Sequence, residues 1–203
     1  MIRALFVDIG GVLLTNGWDH NSRGLACATF GLDVKEFESR HALTFDVYEI
    51  GKISLTEYLK RVVFFTERSF TQDQFEAFMF EQSQVLDGMI DMLVAIKKQY
   101  GLKVAALSNE GRELTEYRIK KFELDRLFDF YVSSCFVHLR KPDPEIYQLA
   151  LDLAQVVPND VIYIDDRAFF AQVGSSIGLT AIIHTDLAST QKQLHNIVKL
   201  SMR

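Results

Sequence analysis

The segment Ala4-Leu5-Phe6-Val7 is an unbroken apolar run that ends in Asp8 and is followed by Ile9-Gly10-Gly11. A short run without polar alternation reads as a strand buried on both faces, the central strand of a parallel sheet. A carboxylate at its end falls on the carboxyl edge, where open α/β sheets hold their ligands. The glycines allow a sharp turn and a close backbone approach to a bound group. Taken alone, Asp8 is equally compatible with the cap of a turn. A second acidic strand end, Asp165-Asp166 after Val161-Ile162-Tyr163-Ile164, shifts the balance toward a site.

Five apolar runs read as strands: residues 3–7, 103–107, 130–133, 161–164 and 180–184. Helical patterns alternate with the later ones. Ile90, Leu93, Val94 and Lys97 have helical spacing before Gly101, a C-terminal stop. Residues 113–122 are helix-like, and Pro144 opens a helix through Ile146, Tyr147, Ala150 and Leu151. This alternation predicts an α/β fold: a Rossmann-like parallel five-stranded sheet with flanking helices and right-handed crossovers.

Residues 15–87 break the rhythm. They contain no clear strand, and Phe37, Phe45, Tyr48, Leu55, Tyr58, Leu59, Phe75, Phe78 and Met79 fall at helical spacings. The expectation is a small α-helical cap over the carboxyl edge, inserted into a core formed by residues 1–14 and 88–203. The crossings near residues 15–18 and 85–88 are expected to act as hinges.

A chain of 203 residues is long enough for one core with such an insertion. The net charge of -5, with no basic run, predicts no nucleic-acid surface and leaves room for a local phosphate pocket. No apolar stretch is long enough to span a bilayer, and no signal-peptide pattern follows the first apolar run. Cys27 and Cys135 stand apart among apolar neighbours and read as reduced, packed thiols. The expected setting is cytoplasmic, as a monomer or homodimer with no membrane partner.

Four strand ends fall on one edge. They bring Asp8, Ser108-Asn109, the loop Arg140-Lys141-Pro142-Asp143, and Asp165-Asp166 together. Each has a plain alternative: Ser108 as a helix N-cap, Lys141 as a solvated loop charge, the acidic pair as a turn. Three carboxylates on one edge repel one another unless a cation sits between them. Oxygen-only ligands suit Mg²⁺, which also binds substrate phosphate. Lys141 would offset remaining negative charge, and Ser108 with N–H groups at the next helix start would hold phosphate oxygens. A carboxylate between cation and ammonium can attack phosphorus and form an aspartyl-phosphate.

These motifs resemble the haloacid dehalogenase (HAD) superfamily over essentially the whole chain. They are Asp8-Ile9-Gly10-Gly11-Val12-Leu13, Leu107-Ser108-Asn109, Arg140-Lys141-Pro142-Asp143 and Ile164-Asp165-Asp166-Arg167. Gly51-Lys52-Ile53-Ser54 with Tyr58 resembles a short cap signature of the small-cap branch, and the chain is similar to glucose-1-phosphatase-type sugar phosphatases. The resemblance implies Asp8 as nucleophile and metal ligand, and the Gly10 carbonyl as a second ligand. Asp166 would bind the metal directly, Asp165 directly or through water. Ser108 and Asn109 would bind the transferring phosphoryl group, and Lys141 would pair with Asp8 and the phosphate. The implied activity is Mg²⁺-dependent hydrolysis of a small phosphorylated metabolite, such as a sugar phosphate.

Two departures stand out. Similar phosphatases carry an aspartate two residues after the nucleophile as general acid and base, and here that position is Gly10. His20 or Asp19 would have to substitute, or the leaving group would have to be good, or the protein would be a catalytically weak phosphate binder. Gly10→Asp is expected to raise turnover if the missing acid limits the rate. After the acidic pair, Phe169-Phe170 stands where a polar residue is usual, which is expected to weaken support for Lys141 or the metal waters. A 2-haloacid dehalogenase also lacks the second aspartate, but it has no use for Asp165-Asp166. Trp18, His20, Asn21, Arg23 and Tyr48 are the candidates for substrate contact. Trp18 reads also as an anchor of the cap, and Arg23 and Arg40 also as solvated helix charges. His41, His138, His184 and His195 form no constellation.

Overall fold

The computed structural model describes Met1 to Ser201. Five strands form one sheet: β1 (Ala4–Val7), β2 (Lys103–Ser108), β3 (Phe130–Ser133), β4 (Val161–Asp165) and β5 (Thr180–Ile183). All pairs are parallel, in the order β3-β2-β1-β4-β5, so β1 is central. The helices are α1 (His20–Phe30), α2 (Val34–Glu49), α3 (Leu55–Val62), α4 (Gln72–Glu81), α5 (Met89–Tyr100), α6 (Arg112–Lys121), α7 (Ser134–Val137), α8 (Pro144–Ala154), α9 (Ala168–Ser176) and α10 (Leu187–Ser201). No helix among the described residues is long and apolar enough to cross a membrane.

The apolar runs are continuous because both sheet faces are covered. Leu5, Val7, Val104, Ala106, Ile162 and Ile164 point to one core, with Ile90 and Leu93 of α5 and Leu194 of α10. The intervening Ala4, Phe6, Ala105, Leu107, Val161 and Tyr163 point to the other, with Ile146, Tyr147 and Ala150 of α8. Successive side chains of a strand face opposite ways, so each needs an apolar partner layer. Each fully buried Val, Leu, Ile or Phe contributes roughly 1.5–3 kcal/mol of burial free energy. Helix boundaries follow local chemistry. α5 stops at Gly101 (φ 62), whose N–H reaches the Lys97 carbonyl. Pro144 opens α8 behind the Asp143 cap.

Helices α1–α4 enclose a third core. The rings of Trp18, Phe30, Phe37, Phe64 and Phe70 surround Phe75 at centroid distances of 4.9–6.5 Å. Asp19, Asp33, Ser54 and Thr71 cap the four helices, each side chain accepting from a backbone N–H of the first turn. The two chain crossings run side by side. The Thr15 N–H donates to the Gln84 carbonyl (2.9 Å), the Leu86 N–H donates to the Leu13 carbonyl (2.9 Å), and Leu14 pairs with Val85. The segments expected as hinges are therefore bonded to each other.

Candidate active site

Register brings the strand ends together. Val7 lies opposite Ala106 on β2 and Ile164 on β4, and the Asp8 N–H donates to the Ile164 carbonyl at 2.9 Å. Asp8, Ser108 and Asp165 thus end three adjacent strands. Lys141, 1% exposed, reaches them from the loop before α8. Its Nζ lies 3.0 Å from Asp8 Oδ2 and 2.7 Å from Asp165 Oδ2. Asp8 Oδ1 accepts from the Ile9 N–H at 2.7 Å.

Burial pushes the Asp8 carboxyl up, to about 6; Lys141 opposes this, while Asp165 and Asp166 add to it. Burial alone would lower Lys141, but Asp8 and Asp165 outweigh it and hold the ammonium above its ordinary value. A buried lysine therefore stays charged because two carboxylates face it.

Asp165 is the structural partner of that lysine. Its Oδ2 accepts from Lys141 and from the Tyr163 hydroxyl, and its Oδ1 accepts from the Arg167 N–H at 2.8 Å. Asp166 differs. Its Oδ1 is buried and has no hydrogen-bond partner among the described residues, while Oδ2 accepts from Asn16 Nδ2 at 3.3 Å. Asp8, Asp165 and Asp166 each offer an oxygen, all within 4.8 Å of one another. The Gly10 carbonyl adds a free acceptor. In the Gly10–Leu14 bridge the bonds are made by the Gly11 N–H and the Ile9 carbonyl. Gly11 is required here: its φ is +73°, and a Cβ would collide with the Asp166 carboxylate. An orphaned carboxylate oxygen among oxygen donors fits a hard divalent cation.

One expectation about support for Lys141 is corrected. Phe170 does not weaken the lysine. Its ring centroid lies 5.1 Å from Lys141 Nζ, offering its face to the ammonium. Phe169 points to solvent. No side chain caps the start of α6, and among the described residues only the two N–H groups before its first turn are engaged. Glu110 N–H donates to Ser134 Oγ, and Gly111 N–H to Glu110 Oε1. Ser108 is not a helix cap, since Gly111 holds that position. Ser108 lines the cavity between the strand ends and α1–α2. Asn109 also lines it, but its side chain is bonded to the Lys141 backbone.

That cavity, about 300 Å³, is walled largely by polar and charged groups. Trp18 borders it, yet its indole N–H donates to the Tyr58 hydroxyl and its ring packs edge-on against Phe37 and Phe75. Of the two roles expected of Trp18, these contacts match the anchor, while the residue still borders the cavity. Tyr48 is corrected: it is buried, stacked on Tyr58, and absent from the cavity wall. Asn21 is exposed and does not line it. His20 lines the mouth, and Asp19 is engaged as the α1 cap. Arg23 lines the cavity while paired with Glu38 at 2.8 Å; Arg40 pairs with Glu36 on the surface.

Asn16, Glu49, Glu110 and Arg118 line the cavity and were not singled out by the sequence. Arg118, 1% exposed, bonds to Ser83 Oγ (3.0 Å), the Thr15 carbonyl (2.9 Å) and Glu110 (3.1 Å). It ties α6 to both chain crossings. Glu110 follows Ser108-Asn109 directly, and Glu49 precedes the Gly51 signature; adjacency to those motifs was the available signal. Nothing in the α6 pattern marks Arg118.

A parallel sheet with a lysine–carboxylate cluster at its carboxyl edge, and a cavity between that edge and α1–α2, fits a hydrolase framework built on a buried aspartate. The chain belongs to the haloacid dehalogenase-like hydrolase family, whose model matches residues 2–178. Bifunctional epoxide hydrolase 2 of Rattus norvegicus is 35% identical over 113 residues, 54% of this chain but only 20% of that protein's length. Flavin mononucleotide hydrolase 1 of Arabidopsis thaliana is 29% identical over 177 residues, 84% of this chain and 69% of that protein. (S)-2-haloacid dehalogenase 4A of Burkholderia cepacia is 39% identical over 72 residues, 36% of this chain and 31% of that one. A HAD family enzyme from Bacteroides thetaiotaomicron, solved with magnesium and inorganic phosphate, superimposes with a TM-score of 0.78 at 20% identity. The match covers 92% of this chain and 96% of that one.

Proposed function

We propose that this hydrolase is a Mg²⁺-dependent phosphatase of a small phosphorylated metabolite, working through phosphorylated Asp8. The observation that carries the proposal is the buried Oδ1 of Asp166, without a hydrogen-bond partner among the described residues and grouped with the carboxylates of Asp8 and Asp165. A dehalogenase reading would leave that oxygen without a purpose. Asp8, the Gly10 carbonyl and Asp166 would hold the ion, with Asp165 acting mainly through Lys141. When bound, the ion would neutralise phosphate charge and help orient it.

Asp8 attacks phosphorus in line, and Lys141 keeps its carboxylate ionised and aimed. Ser108 donates to a phosphate oxygen; its hydroxyl makes no other hydrogen bond among the described residues. Asn109 positions Lys141. Residues 15–87 act as the cap and exclude bulk water from the aspartyl-phosphate. A magnesium-and-phosphate complex of a similarly folded enzyme and a flavin mononucleotide hydrolase among the relatives support this reading. The polar cavity of about 300 Å³ favours a compact, hydroxyl-rich substrate.

The test is phosphate release from an aryl phosphate with Mg²⁺ and with chelator. The expected result is turnover that needs the metal and is lost in Asp8→Asn. Phosphate binding without turnover would instead favour the weak-binder alternative.

A further inference from the structure

Gly10 leaves the site without a side chain to move protons, and the space beside it is filled. A Cβ at that position would lie 3.0 Å from Asn16 Oδ1. The replacement must come from elsewhere on the cavity wall. Asp19 accepts from the Ser22 N–H as a helix cap. Glu110 is paired with Arg118 and accepts from Gly111. His20 is largely in solvent, its side chain 76% exposed.

Glu49 remains. It ends α2 one turn after Phe45, and both line the cavity. The residue is 6% exposed. Its Oε2 is ion-paired with Arg140 Nη2 at 2.8 Å and makes no hydrogen bond among the described residues. The backbone around it is fixed: the Glu49 carbonyl accepts from Ser134 Oγ (2.7 Å), and the Ile50 carbonyl from His138 Nδ1 (2.7 Å). Asp8 attacks from the sheet edge, so an in-line leaving oxygen departs on the opposite side, toward the helices that carry Glu49.

We propose that Glu49 is the proton-transfer group of this site, a catalytic role placed on the helical segment instead of beside the nucleophile. This rests on the phosphatase reading above. In the first step the Asp8 oxygen bonds to phosphorus as the bond to the leaving oxygen breaks, and that oxygen takes the Glu49 proton. In the second, the Glu49 carboxylate takes a proton from water as the resulting hydroxide bonds to phosphorus. Inorganic phosphate and the Asp8 carboxylate are released.

The electrostatics agree. Burial pushes the Glu49 carboxyl up to about 7; Arg140 opposes this, Glu110 and Asp46 add to it, and Arg167 opposes more weakly. A group that donates and then accepts works best near the operating pH.

The experiment compares an aryl phosphate, whose leaving group needs no proton, with a primary alkyl phosphate. Read from single-turnover release of the leaving group, Glu49→Gln is expected to slow the first step about 10²-fold or more with the alkyl phosphate and by under about tenfold with the aryl phosphate, while loss of the base slows steady-state turnover of both. The variant is also expected to remove the alkaline limb of the alkyl pH profile. Equal first-step losses on both substrates, or a loss confined to KM, would overturn the proposal. A second measurement needs no variant. Across phosphates of increasingly basic leaving groups, the unaltered protein should show a nearly flat kcat/KM, which reports the first step; a steep fall would overturn the role. Absence of any metal-dependent aryl turnover in the unaltered protein would instead overturn the phosphatase reading itself.

Discussion

The side-chain amide of Asn109 brackets the backbone of Lys141. Nδ2 donates to the Lys141 carbonyl and Oδ1 accepts from the Lys141 N–H, both at 2.8 Å. The end of β2 thereby sets where the ammonium stands against Asp8, on β1. Asn109→Ala removes both bonds at a partly buried site and is expected to lower stability by about 1–3 kcal/mol. A displacement of the ammonium by an ångström can reduce turnover by about 10²-fold. Steady-state kinetics with saturating Mg²⁺ should show the loss in kcat. Unchanged kcat would mean Lys141 is held by Asp8 and Asp165 alone.

Lys141→Met leaves Asp8 and Asp165 facing each other without their cation. Breaking a buried ion cluster this way is expected to cost about 3–5 kcal/mol near neutral pH. Without the ammonium nothing opposes the burial that pushes the Asp8 carboxyl up, so the folded state binds more protons than the unfolded one as pH falls. The variant should therefore regain stability relative to the parent on acidification. Urea unfolding at neutral and mildly acidic pH checks this; a pH-independent deficit would contradict it.

Glu49 gives a separate signature in stability. Its folded value of about 7 lies above the ordinary 4.5, so folding favours the protonated form. The stability it contributes is full below about 4.5, falls as pH rises toward 7, and is flat above. The span corresponds to about 3 kcal/mol. Glu49→Gln lacks this one contribution while keeping the others, so the gap between variant and parent changes by about that amount between roughly pH 5 and roughly pH 8. A constant gap would place the carboxyl near its ordinary value.

Much of this arrangement was readable beforehand. Ala4–Val7 and Val161–Ile164 lack alternation because both faces of the sheet are covered, and that same fact marks their ends as the carboxyl edge. Asp8, Ser108, Lys141 and Asp165-Asp166 follow from strand order. Glu49, Asn16 and Arg118 do not. Helical periodicity separates buried from exposed faces, but it cannot tell a face that packs on a core from one that roofs a cavity. Trp18 and Tyr48 were weighed as ligand contacts for the same reason; both belong to the aromatic interior. Asn109 was legible as a site residue, while its hold on Lys141 depends on a partner 32 positions away.

The structure also changes what Gly10→Asp should do. Its Cβ would press on Asn16 Oδ1, and Asn16 donates to Asp166. The added carboxyl would disturb that bond while duplicating the function proposed for Glu49. The expected outcome is no rise in kcat and a higher Mg²⁺ requirement, read from metal titrations of activity. A rise in kcat at an unchanged requirement would show that the missing aspartate was limiting.

The most direct measurement traps the covalent intermediate. Enzyme turning over an aryl phosphate with Mg²⁺ is quenched in acid and reduced with borohydride, which converts an aspartyl-phosphate to homoserine. Peptide mass spectrometry should place homoserine at position 8 and nowhere else, with none in the chelator control. Phosphate release with Asp8 unmodified, or modification at another carboxylate, would contradict the account.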